Sequence, residues 1–220
     1  MNNEIDIKSR SESELDALTR ASALLAKEID FQSLVSTMVD QAIDITRSDL
    51  AVLYLYTDPD RPGSDMKRTY QRGRYLAAET IPGDSEVPQF IEECRESVLL
   101  LERKSSPFEE ILLNQNMQSG IALPVYTQKA RFGILFLNSR EPMFYNRRRF
   151  HFLDSFNALA TGMLQNSELF RELKENLRRI ETLERYQESI FSSMTNLLIT
   201  TDSNGCIHYF NEAARKKLAL

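Results

Sequence analysis

The stretch SGIALPVYTQKARFGILFLNS (residues 119–139) decides the fold. Two apolar runs, SGIALPVYT and RFGILFLNS, flank the polar QKA, and that spacing signals a β-hairpin. Upstream, LAVLYLYT (residues 50–57) is rich in β-branched and aromatic residues and is a further strand. DPDRPGSD has turn chemistry. GRYLAAET (residues 73–80) is predicted as the next strand, and IPGDSEVP as a loop. PQFIEECRES suits a short helix with Pro88 at its start. VLLLERK suits either a strand or a turn of helix. SPFEEILLNQN suits a short helix capped by Ser106, with Pro107 first and Glu109 in the capping-box position.

Helices gather at the two ends of this strand-rich region. Residues 1–12 are polar and expected to be flexible. From Ser13, the residues Leu15, Leu18, Ala21, Leu24 and Leu25 recur at helical spacing. A second helix follows Asp30, a plausible N-cap, with Phe31, Leu34, Met38, Ala42 and Ile45 on one face. After the hairpin, Asn146 opens a long helix whose expected face is Phe152, Phe156, Leu159 and Met163. Neither Pro nor Gly interrupts the pattern between Met163 and Met194. Successive hairpins make an antiparallel sheet, and end helices cover one face of it, so the fold class is α+β. The short helices and loops between Pro82 and Asn116 then roof the other face. Such a roof is the default place for a small ligand.

Composition narrows the function. The chain has 220 residues, 42% hydrophobic and 27% charged, with a net charge of -5, which argues against nucleic acid or an anionic membrane as partner. No apolar run approaches the ~20 residues of a membrane span. The opening residues lack the apolar core of a secretory signal. The two cysteines, Cys94 and Cys206, are far apart, which excludes a disulfide framework and a cysteine-rich metal site. A reducing, cytoplasmic setting is expected.

The order of elements, together with residues 119–139 and the pattern F-x-x-L-x-x-F-x-x-L-A beginning at Phe150, resembles the GAF domain over about residues 15–169, within a domain placed at 13–169. The resemblance implies a sensory or dimerising module with loops as a lid. Residues 195–220 are similar to the start of a PAS domain. There LLITT and CIHYFN are its first strands, DSNG the turn and Asn211 the cap of its first helix. An isolated two-stranded hairpin is marginal. The expectation is therefore a chain cut inside a second domain, with residues 197–220 poorly ordered or packed on another chain.

Between these pieces, residues 170–194 carry a heptad seam. Phe170, Leu177, Glu184 and Phe191 are seven apart, as are Leu173, Ile180, Gln187 and Met194. Leu183, Tyr186 and Ile190 offer an alternative stripe where the seam turns polar, a local change of helix phase. Glu175 with Arg179, and Glu181 with Arg185, suit i,i+4 pairs. The segment is read as a parallel coiled coil continuous with the preceding helix, against the alternative of a helix packed on its own domain. A homodimer through the terminal helices follows. The resemblance implies signalling to a PAS domain and an output domain, a histidine kinase first and a nucleotide cyclase second.

Catalytic chemistry is mostly refused. The two histidines, His151 and His208, stand apart, and no G-x-S-x-G motif occurs. His151 and Asp154 share a helix face, but two ligands make no metal site. Reductase-type GAF domains carry a cysteine cluster that is missing here, and in bilin-binding relatives the cysteine is followed by His, where Arg95 follows Cys94. The cyclic-nucleotide signature is half present: Asn138 and Phe144 match it, while Ser139, Arg148 and Arg149 depart from it. The chain is therefore expected to be no enzyme, to hold no metal and to need no cofactor. A cyclic nucleotide or another small ligand stays open. Three cations open the helix in NRRRF, against the macrodipole; they suit an acidic partner or a solvated face. Strand alternation puts Val52, Tyr54 and Tyr56 on one face, and Ala51, Leu53 and Leu55 on the other. The candidate pocket is Tyr54, Tyr56, Tyr75, Ile121 and Phe136, with the alternative that the tyrosines simply fill the interior of a ligand-free dimerisation scaffold.

Overall fold

The computed structural model describes residues 19–21, 23–25, 30–103 and 109–218. The expected flexible start, the positions Ser13, Leu15 and Leu18, and the cap Ser106 with Pro107 lie outside them. The chain divides into two compact units between Glu168 and Leu169.

The first unit is built on a six-stranded antiparallel sheet in the order β3-β2-β1-β6-β5-β4. Its strands are β1 (Leu50–Tyr56), β2 (Met66–Gly73), β3 (Thr80–Ile81), β4 (Val98–Leu100), β5 (Ser119–Tyr126) and β6 (Arg131–Ser139). β1 and β6 are central and covered on both faces, so they are apolar nearly throughout. The hairpin β5–β6 forms as its sequence predicts, closed by the Thr127 amide on the Ala130 carbonyl at 2.8 Å. Gly133 is required where β6 crosses β1: a Cβ there would lie 1.8 Å from the Tyr54 carbonyl oxygen.

Helix α1 (Phe31–Thr46) starts at Asp30, whose carboxylate accepts from the amides of Gln32 and Ser33. That bonding satisfies two of the four orphan donors of its first turn. Leu34, Val35, Met38, Val39 and Ala42 turn inward. They meet Ala51, Leu53, Leu123, Val125, Leu135 and Leu137 on one face of the sheet. Ala21 and Leu25 join this core, while Leu24 is exposed. Helix α3 (Arg147–Ser193) packs its first turns on the same face. Asn146 caps it, accepting the Arg149 amide at 2.9 Å. Its buried stripe is Leu153, Phe156, Ala160 and Leu164, offset from the expected one: Leu159 is exposed, and Phe152 and Met163 are only half-buried.

The opposite face carries the lid. Helix α2 (Glu86–Cys94) begins two residues before Pro88, in a first turn where a missing N–H costs nothing. Of the expected short helix at 106–116, the described residues Glu109–Ile111 form a single 3-10 turn. VLL of VLLLERK is strand β4. The predicted strand at residues 73–80 is displaced: pairing with β1 runs over Met66–Gly73. Gly73, at φ 139°, ends β2 beside the Asp49 carbonyl.

In the second unit α3 continues to Ser193. A hairpin follows, β7 (Ile199–Thr201) with β8 (Ile207–Phe210), then helix α4 (Glu212–Leu218). DSNG makes the turn: Asp202 accepts the amides of Asn204 and Cys206, and Gly205 takes φ 83°. Asn211, buried, caps α4 through the Ala214 amide and also accepts the Leu198 amide. Its own amide donates to the carbonyls of Met194 and Asn196. One side chain thus holds the end of α3, the hairpin and α4 together.

Candidate functional site

Tyr54, Tyr56 and Phe136 all stand on the lid face of the sheet. Tyr75 is half-buried against the same cluster. Ile121 is a correction: it belongs to the helix-covered face. It pairs with Leu137, and Ala122 is the residue opposite Phe136. The ladder shifts by one residue between Val125 and Tyr126. That shift puts its extra residue on β6, while β5 alternates regularly, so Ile121 shares the face of Leu123 and Val125, opposite to Ala122 and Tyr126.

Among the described residues, side chains of the sheet and the lid pack closely on this face. The Tyr54 and Phe136 rings meet edge to face with centroids 5.8 Å apart. Val87 and Ile91 of α2, with Ile111 and Met117, close over them. The Tyr54 hydroxyl donates to the Ala78 carbonyl at 2.7 Å. Burial pushes that phenol up to about 12, with Arg68 opposing.

Tyr56 anchors a second cluster that the sequence reading did not assemble. Its hydroxyl shares a hydrogen bond with Tyr126. The Arg131 guanidinium lies over its ring, 4.6 Å from the centroid, and ion-pairs with Glu92 of α2. Glu92 also accepts the Gly63 amide at 3.1 Å. Burial drives both phenols above the ordinary tyrosine range, for Tyr56 reinforced by its bond to Tyr126. The cluster pins α2 and the 57–65 loop to the β5–β6 hairpin.

Asn138, half of the partial nucleotide signature, is a lid fastener. It is fully buried and donates to the Ile111 and Leu137 carbonyls while accepting the Leu113 amide. Arg103 adds bonds to the carbonyls of Met117 and Asn114 and an ion pair with Glu109. Phe144 carries the Arg149 guanidinium 4.2 Å from its centroid. On the lid face the polar tips of Tyr54, Tyr56, Tyr126 and Asn138 are thus engaged within the protein.

Among the described residues, open pockets also lie elsewhere on this unit, and two of them carry charged groups. One, of about 380 Å³, has Arg72 and Arg140 on its wall, but Arg72 pairs with Asp44 at 2.8 Å and Arg140 with Asp49 at 2.9 Å. The other, of about 390 Å³, lies among the 95–97 loop, the β5 edge at Pro124 and α3. Pro124 lies past the last β4 pair, where its missing amide breaks no ladder bond. Its carbonyl accepts from the Asn157 amide nitrogen at 2.7 Å. The Asn157 Oδ1, in a residue only 4% exposed, has no hydrogen-bond partner. An orphan acceptor of that kind costs about 1–3 kcal/mol. The signal was legible: Asn157 and Thr161 are polar positions in the apolar stripe of Leu153, Phe156, Ala160 and Leu164.

His151 is exposed and meets the Phe150 ring edge-on. Cys94 and Cys206 are free and exposed. Among the described residues no three His, Cys, Asp or Glu side chains come together as metal ligands.

In the second unit the seam residues Phe170, Leu173, Leu177, Ile180 and Met194 are all more than 40% exposed, as are Leu183 and Tyr186. Phe191 is half-buried against the Tyr209 ring. Glu175 pairs with Arg171 at 3.2 Å and not with Arg179. At such exposed positions the two i±4 partners differ by only a few tenths of a kcal/mol.

Comparison with protein-family models and with curated proteins gives no match. Solved structures do match. Free methionine-R-sulfoxide reductase of Neisseria meningitidis, in complex with its substrate, superposes with a TM-score of 0.62 at 15% identity, over 71% of this chain and 90% of that one. The GAF domain of an Acinetobacter phosphoenolpyruvate-protein phosphotransferase gives 0.60 at 16% identity, over 71% and 95%. The chromophore-binding domain of a bacteriophytochrome from R. palustris gives 0.58 at 10%, over 71% and 63%. The first unit has the GAF fold. No helix among the described residues is long and apolar enough to cross a membrane.

Proposed function

We propose that this chain is a regulatory GAF module of a signalling protein, dimerising through α3 and passing a change of packing along that helix. It performs no catalysis itself. The observation that carries this reading is the exposed apolar stripe from Phe170 to Met194 on a helix unbroken from Arg147 to Ser193. Large side chains at heptad spacing in water favour burial against a second copy. Residues 195–220 then begin a PAS domain, and the output is a histidine kinase or, second, a nucleotide cyclase, in the cytoplasm. The polar seam positions Glu184 and Gln187 keep the pair marginally stable, as a helix with two packings of similar energy requires.

The edge-to-face contact of Tyr54 with Phe136 and the bond of its hydroxyl to Ala78 favour regulation by packing over a ligand held beneath the lid. A small ligand there, cyclic nucleotides included, would have to displace the Tyr54–Ala78 bond. Single cysteines at Leu173 or Ile180, with Cys94 and Cys206 replaced by serine, test the reading. Oxidation should join like positions into dimers. Absence of crosslinks at both positions contradicts the parallel pair.

A further inference from the structure

We propose that the groove between the 95–97 loop, the β5 edge and α3 is a binding site for a small ammonium compound with an apolar body. It lies apart from the lid-side interior and owes nothing to the dimer.

Its volume, about 390 Å³, suits a small molecule. Its chemistry is dominated by acceptors. Asp154 lines it from α3 and is exposed there, its carboxylate positioned by a bond from the Ser97 hydroxyl at 2.7 Å. Glu96 adds a second carboxylate against the single guanidinium of Arg95. Asn157 lines the groove, and its buried Oδ1, just beneath that wall, accepts no hydrogen bond. Its orientation is fixed, because the amide nitrogen is committed to the Pro124 carbonyl. Turning the amide over would set two carbonyl oxygens against each other. The Thr161 hydroxyl is spent as donor on the Asn157 carbonyl, so what it has left to offer is an acceptor lone pair. A ligand rich in N–H donors complements this set, and an anion does not. Phe150, Ala158 and the Pro124 ring give the apolar wall. Tyr126 borders the same groove and shares its hydroxyl with Tyr56, so occupancy touches the cluster that pins α2.

Benzylamine is the probe, titrated into the isotope-labelled full chain and followed by amide NMR, with benzyl alcohol and phenylacetate as neutral and anionic controls. The expected result is saturable shifts at residues 95–97, 124–126 and 154–161, with binding at least fivefold tighter than either control. Asp154→Asn keeps an oxygen for Ser97 but removes the charge, and should weaken benzylamine at least fivefold. Shifts that fail to saturate, that centre on Tyr54 and Phe136, or that ignore Asp154→Asn would overturn the site.

Discussion

Arg131 rests its guanidinium on the Tyr56 ring, 4.6 Å from the centroid, while pairing with Glu92 across from the lid helix. Both charged side chains are under 20% exposed. Arg131→Ala would leave Glu92 largely buried without its countercharge and remove the stacked cation. We expect a loss of about 2 kcal/mol in urea unfolding, below the 3–5 of fully buried pairs. A double-mutant cycle with Glu92→Ala should return a clear coupling energy.

Asn138→Ala strips the Ile111 carbonyl and the Leu113 amide of their partners. The expected cost is about 2–3 kcal/mol. Because these bonds hold the lid, hydrogen exchange at residues 109–117 should accelerate more than exchange in β1. Uniform acceleration would deny the fastening role.

Gly133→Ala should prevent folding or cost about 4 kcal/mol or more, since its Cβ would overlap the Tyr54 carbonyl of the adjoining strand. Circular dichroism and urea unfolding of the purified variant check this.

Asp49 gives an acid-side dependence. Burial pushes its carboxyl up, but the Arg140 amide and guanidinium and the Ser139 hydroxyl together outweigh burial and hold it below the ordinary aspartate value. A depressed folded-state value means stability that is present above the unfolded aspartate value of about 3.9 and lost as pH falls through the lower, folded one. Asp49→Asn should therefore destabilise at pH 7, and the gap from the unaltered protein should narrow as pH falls below about 4. A gap independent of pH would contradict it.

Tyr54, with its phenol pushed up to about 12, contributes to the alkaline side beside Tyr56, Tyr126 and Tyr145, which burial also raises. Between about 10, where an unfolded tyrosine ionises, and 12, the folded state holds a proton the unfolded chain has lost, so stability falls as pH rises. Tyr54→Phe should lessen that fall at the expense of the bond to Ala78. Urea unfolding at pH 9 and pH 11 measures it.

Where pattern and packing agreed, the fold was legible in the residues. The hairpin at 119–139, the Asp30 and Asn146 caps and the face alternation of β1 are local consequences of burial and turn chemistry. β2 was displaced because Lys67, Arg68, Gln71 and Arg72 give it little apolar alternation; pairing with β1 places it. Ile121 was misplaced because β5 is buried on both faces from Ser119 to Leu123, so hydrophobicity does not tell its two faces apart. The Glu92–Arg131–Tyr56 cluster joins positions far apart in the chain, and only the folded topology brings them together. The apolar heptads of α3 were readable from spacing alone, and among the described residues most of them are exposed, while Phe191 meets the Tyr209 ring.

The central claim is that α3 pairs with a second copy of itself. Sedimentation equilibrium of the full chain at micromolar concentration, beside a Leu173→Glu/Ile180→Glu variant, tests it most directly. The account predicts twice the 25.4 kDa chain mass for the unaltered protein and a single chain mass for the folded variant. A single chain mass for the unaltered protein at every concentration, or a dimer that survives both glutamates, would contradict it.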